Sequence, residues 1–240
     1  MRFQFWHQQL VSIRKLSENN LRDLAPYTPL SSADNTVDQE AKMRTRASIR
    51  VLSLLLTAPC FAGDLEDGLR LYDQKRYAPS ITTFERAAAG GNAQAQRRLG
   101  FMYYHGEGVA QNNQRAVTLF ESSASAGDIL SASNLGMMYE HGMGVDQDDA
   151  RAASWYRKAA ELGDPRSQFT TSIMYYKGLG VPQDRVEAAK WWTLAMMHGG
   201  AVAEMVRRSV ESAQSKLTPE QNAEGERRAQ EWQTSHQAKK

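Results

Sequence analysis

One block of residues returns three times at a constant interval of 36 positions. Leu99-Gly100-Phe101-Met102-Tyr103 recurs as Leu135-Gly136-Met137-Met138-Tyr139 and, altered at its start, as Thr171-Ser172-Ile173-Met174-Tyr175. Each copy is followed by two glycines and a valine: Gly106, Gly108 and Val109; Gly142, Gly144 and Val145; Gly178, Gly180 and Val181. A fixed period of this length marks a chain that stacks supersecondary units, each unable to bury its apolar face alone. A single closed globule has no use for such a period.

Within a period the apolar residues fall at helical spacing. Ala95, Leu99, Met102 and Tyr103 share one face of a first helix, and Ser131, Leu135, Met138 and Tyr139 repeat it. A second helix carries Ala116, Leu119, Phe120, Ser123 and Ala124, then Ala152, Trp155, Tyr156, Ala159 and Ala160, then Ala188, Trp191, Trp192, Ala195 and Met196. Large rings alternate with Ala or Ser, so helices can approach closely around the aromatics, and the tryptophans are expected in the core. Boundaries agree with this division. Asn92, Asp128 and Asp164 precede the first helices as N-caps, and Asn112, Asp148 and Asp184 precede the second. Pro165 suits a first helical position, and Gly106 with its equivalents suits a left-handed C-cap.

The pattern Leu-Gly-x-Met-Tyr…Gly-x-Gly-Val, followed by Ala-x-x-Trp-Tyr-x-x-Ala-Ala at Ala152–Ala160, resembles the Sel1-like repeat, a relative of the tetratricopeptide repeat. The resemblance implies an all-α fold, an α/α solenoid of stacked helix-turn-helix units. Ser80, Thr83, Phe84, Ala87 and Ala88 sit one period before the second-helix set and read as a degenerate copy. Thr218-Pro219-Glu220-Gln221 has the form of a capping box opening a polar lid helix, with Ala223, Ala229 and Trp232 its apolar exceptions and fraying expected beyond Trp232.

Charge excludes one class of function. From Gly63 onward there are 21 Lys and Arg against 22 Asp and Glu, without the basic footprint of a nucleic-acid binder. The basic excess is local: Arg44, Arg46 and Arg50 occur in 43–62 with no acid. They precede an apolar run, Val51 to Ala62, whose 12 residues are too few to span a membrane. With Cys60-Phe61-Ala62 supplying small residues before Gly63, the segment reads as a signal peptide. Cys60 is the single cysteine, and Pro59 before it makes a poor lipoprotein box. The expected organisation is therefore 1–42 as a disordered extension or mis-assigned start, with translation from Met43, and 43–62 as the signal peptide. A degenerate repeat follows at 63–92, repeats at 93–128, 129–164 and 165–200, and capping helices with a frayed tail at 201–240. The location expected is periplasmic or secreted.

No catalytic constellation stands out. There is no His-Glu-x-x-His, phosphate loop or Gly-x-Ser-x-Gly, and the Gly-x-Gly pairs follow helices rather than strands. His105 and His141 share a repeat position, but Lys177 takes it in the third copy, so a metal site is not expected. Asp146-Gln147-Asp148-Asp149 reads as a cap and acidic turn. No cofactor is expected.

What recurs in place but varies in type is a first-helix face: Phe101, Tyr104 and His105; Met137, Glu140 and His141; Ile173, Tyr176 and Lys177. In tetratricopeptide-like stacks the first helices line the concave surface, so the resemblance makes these nine a candidate groove for a protein or peptide partner in the cell envelope. Phe101, Met137 and Ile173 either anchor such a partner or pack between adjacent repeats; the sequence leaves both open. The resemblance also implies scaffold or adaptor roles. Its alternative is a cell-wall or β-lactam-related binding protein or hydrolase, as associated with secreted, cysteine-rich members whose repeats each carry a disulfide.

Overall fold

The computed structural model describes residues 61–237. The expected extension at 1–42 and nearly all of the expected signal peptide lie outside them. The described residues form ten helices and no strand. In order these are α1 (Phe61–Asp73), α2 (Tyr77–Ala89), α3 (Ala93–His105), α4 (Asn113–Ser125), α5 (Ile129–His141), α6 (Asp149–Glu161), α7 (Pro165–Lys177), α8 (Arg185–Met197), α9 (Gly200–Gln214) and α10 (Pro219–Gln237). Odd and even helices pair as hairpins from α1/α2 to α7/α8, and each hairpin packs its second helix on the first helix of the next.

Local chemistry sets the boundaries. Asn92, Asp128 and Asp164 each accept a hydrogen bond from the backbone N–H three residues on, as do Asn112, Asp148 and Asp184. Each such cap contributes about 1 kcal/mol by satisfying a donor that the helix leaves free. First helices end on glycine in the left-handed region, as Gly142 does at φ 66°. The second turn glycine has a different duty. A Cβ on Gly144 (φ 77°) would sit 2.5 Å from the Asn113 carbonyl carbon and 2.6 Å from the Gln114 nitrogen. The turn of one repeat thus seats against the start of the previous repeat's second helix, and only a glycine fits there.

Packing follows the helical faces. Ala95, Leu99, Met102 and Tyr103 are buried, as are Ser131, Leu135, Met138 and Tyr139, and one continuous apolar core joins α2 through α7. Gly100 and Gly136 lie where a Cβ would strike the rings of Phe120 and Tyr156, so the aromatic of each second helix presses on its own first helix. Trp191 and Trp192 are core residues, each 2% exposed. Trp155 differs from its expectation: it is half-buried at the core's edge, with the Lys158 ammonium 4.9 Å above its ring. The second-helix face also buries Val117, Ala153 and Ala189, which the expected stripe did not include.

The two ends are built differently. Between α1 and α2 the turn is three residues, Gln74–Arg76, with Lys75 at φ 59°, where the later hairpins use seven. At the other end α10 folds back along α8. Gly225 lies against Ala189, Arg228 donates to Glu187 at 3.1 Å, and Trp232 meets Trp191 edge-on at 6.1 Å. Thr218 and Gln221 form the reciprocal bonds of a capping box at 3.0 and 3.2 Å. The helix does not fray at Trp232. It continues to Gln237, with His236 stacked on the Trp232 ring at 3.6 Å.

Candidate protein-binding face

The nine first-helix residues occupy one side of α3, α5 and α7, and three of them face solvent: His105, His141 and Lys177. Each is the last residue of its helix, directly before the C-cap glycine, where a cationic side chain opposes the negative end of the helix dipole. The other six are half-buried. Phe101 meets Phe120 edge-on at 5.3 Å and lies parallel to the His105 ring at 6.2 Å. Tyr104 is edge-on to His105 at 4.8 Å, and its hydroxyl reaches Met143 of the next turn at 3.5 Å. These three make a compact aromatic patch at the end of α3.

The α5 and α7 sets are arranged differently. Met137 packs on the core, and Glu140 accepts a 2.8 Å bond from the Tyr156 hydroxyl. Burial first, then that bond, pushes the Tyr156 phenol above its usual range, which keeps it a neutral donor to Glu140. Tyr176 leans on Trp192 at 6.4 Å, leaving Ile173 half-buried and Lys177 extended into solvent. The face therefore runs from aromatic, through a carboxylate engaged within its own repeat, to an aliphatic and cationic end.

Two features escape the nine residues. Leu130, at the start of α5, is 51% exposed, the most exposed large apolar side chain among those described. A small cavity opens between α6 and α7, described below. Among the described residues, no three His, Cys, Asp or Glu side chains are grouped to hold a metal, and no helix is long and apolar enough to cross a membrane.

A family model for the Sel1 repeat matches residues 93–128, 129–164 and 165–199. Among solved structures, a Sel1 repeat protein from Oxalobacter formigenes is similar at 31% identity and a TM-score of 0.54, over 56% of each chain. A protective antigen present in uropathogenic Escherichia coli strains, displaying an SLR fold, matches at 26% identity over 71% of this chain and 46% of its own, with a TM-score of 0.38. Helicobacter pylori cysteine rich protein B matches at 22% identity over 52% of this chain and 96% of its own, with a TM-score of 0.41. A search of curated proteins found no match. The chain thus spans little more than half the length of the Oxalobacter formigenes protein. Sel1 repeats typically act as scaffolds for protein–protein interaction. Residues 93–199, the stack α3–α8, match the Sel1 repeat as three tandem units.

Proposed function

We propose that this chain is a non-enzymatic scaffold whose first-helix face holds a protein or peptide partner in the cell envelope. One observation carries the reading. The backbone geometry of α3, α5 and α7 repeats, with the same caps and the same turns, while the side chains it presents change: Phe101, Met137 and Ile173 at one position, Tyr104, Glu140 and Tyr176 at the next, and Lys177 where His105 and His141 stand. Stacked helices hold those groups rigidly, so a partner that binds them orders little of the scaffold. Export rests on the basic and apolar character of 43–62, and cleavage before Gly63 would remove only the first two residues of α1.

The test is photocrosslinking in living cells, with the reactive residue placed in turn at His105, His141 and Lys177, and at Ser122 and Thr118 on exposed parts of α4 as controls. Capture of one partner from the first three positions, weakened by the pair His141→Glu and Lys177→Glu with helicity unchanged, supports the face. Capture only from Ser122 or Thr118 moves the site elsewhere. Turnover of a β-lactam or peptidoglycan fragment that survives repurification contradicts the scaffold reading. Fractionation with N-terminal sequencing tests export, for which a mature terminus at or near Gly63 is expected and an intact Met1 contradicts.

A further inference from the structure

The repeats serve as internal controls for one another, and they single out the joint between α6 and α7. In the two preceding joints, Leu99 and Leu135 of the first helix are buried in the same apolar core as Ile81 and Val117 of the helix before. At the third joint the corresponding residues are Thr171 and Ala153. Both are shorter, and the volume they leave is a cavity of about 110 Å³ lined by Ala153, Ser154, Arg157, Thr171, Met174 and Tyr175 among others. Thr171 is 2% exposed, yet its hydroxyl has no hydrogen-bond partner. A native core is otherwise packed without such voids, and buried hydroxyls are almost always bonded.

The edge of the joint changes as well. In the first joint Tyr103, Glu85 and Arg115 form a cluster: the phenol reaches Glu85 at 3.5 Å, Arg115 donates to Glu85 at 3.4 Å, and the guanidinium lies 4.5 Å over the ring. In the second, Tyr139 donates to Glu121 at 3.2 Å beneath Arg151 at 5.5 Å. In the third the charges are exchanged, Arg157 standing in the glutamate position and Glu187 in the arginine position. The pair does not close. Glu187 is drawn away by Lys190 and by Arg228 of α10, each at 3.1 Å. Arg157 is left half-exposed with a loose contact to Glu161 at 3.6 Å, a pairing worth little at a surface. Tyr175 and Arg157 therefore line a pocket from which the carboxylate of the other two joints is missing.

We propose that this pocket is a binding site for a carboxylate bearing a small branched aliphatic group, namely the C-terminal leucine, isoleucine or valine of a partner chain. The aliphatic group takes the volume vacated by leucine and valine, and the carboxylate supplies the negative charge that Glu85 and Glu121 supply in the other joints, accepting from Arg157 and from the Tyr175 hydroxyl. A dry cavity of roughly 150 Å³ accepts a benzene ring, so about 110 Å³ suits a four-carbon side chain. The choice of a protein C-terminus as the source rests on the scaffold reading above; the site itself does not.

The test is an NMR titration of the isotopically labelled chain with N-acetyl-leucine, N-acetyl-leucinamide, N-acetylglycine and a short peptide ending in a free leucine. N-acetyl-leucine is expected to shift Ala153, Thr171 and Met174 saturably, at least tenfold more tightly than the amide or the glycine derivative, and the peptide to bind at least as well. Arg157→Gln should bring acid and amide to equal affinity. Thr171→Leu, or Ala153→Val should the first not fold, should abolish the shifts by filling the pocket. Equal binding of acid and amide, shifts centred elsewhere, or binding unaltered in a folded filled variant overturns the site. Binding of the acid without the peptide overturns the protein C-terminus as occupant. A probe that binds while cellular crosslinking finds no partner leaves the site standing and removes the scaffold reading.

Discussion

The joint between α4 and α5 and the joint between α6 and α7 are built from the same eight positions and hold together differently. Met138, Tyr139 and Val145 return unchanged as Met174, Tyr175 and Val181, whereas Gln114, Val117, Thr118, Glu121 and Leu135 become Ala150, Ala153, Ser154, Arg157 and Thr171. Every change but that of charge shortens a side chain or makes it polar. The backbone does not register them: caps, turn glycines and helix lengths are the same on both sides. A solenoid's stability is the sum of unit stabilities and nearest-neighbour interface terms. This chain has kept its units regular and weakened one interface.

The comparison can be broken first by transplanting it. Val117→Ala with Leu135→Thr gives the second joint the two shortened core residues of the third, and should lower unfolding free energy by about 4 kcal/mol in denaturant titrations. A loss below 1 kcal/mol would mean that these side chains do not carry the joint. Next in size is Gly144→Ala, which places a methyl group against the start of α4 at a positive φ and should cost about 3 kcal/mol. The same denaturant midpoint reads it, and a neutral result would separate the turn from the joint. The reverse graft sharpens the contrast. Thr171→Leu with Ala153→Val should raise stability by about 1–2 kcal/mol by filling the cavity, with an unchanged denaturant m-value.

The smallest effect concerns pH at the N-terminal end. A 2.7 Å bond to Glu107, then burial, pushes the Tyr72 phenol up to about 12, so the fold favours its neutral form. The stability this adds is complete below the unfolded value near 10 and is lost as pH rises through about 12. Tyr72→Phe should flatten the fall in urea midpoint between about pH 10 and 12, and a fall as steep as in the parent chain would assign it to other groups.

What was legible in the sequence was local or periodic. Caps at Asn92, Asp128 and Asp164 and the C-cap glycines Gly106, Gly142 and Gly178 declare themselves because each acts within five residues of its own position. The Thr171-Ser172 departure was visible too, but its consequence was not. A cavity forms only because Ala153 and Arg157, on another helix, change with it. The fold-back of α10 was likewise hidden. Its helix is mostly polar, and the contacts that seat it, Gly225 on Ala189 and Arg228 on Glu187, join residues 36 and 41 positions apart without a periodic signal. Trp155 misled because its register is at the edge of the core, where Trp191 at the equivalent position is met by Trp232 of α10 while Trp155 has the Lys158 ammonium over its ring. The candidate groove was placed by period alone, which locates a face but says nothing of Glu140 being engaged by Tyr156.

Amide hydrogen exchange resolved by helix is the most direct measurement of the difference between the joints. If the third interface is the weak one, α7–α10 should open as a unit with a lower free energy than α3–α6, and the filled pair Thr171→Leu with Ala153→Val should erase the step. One opening free energy across α3–α10, unmoved by filling the cavity, would contradict the account.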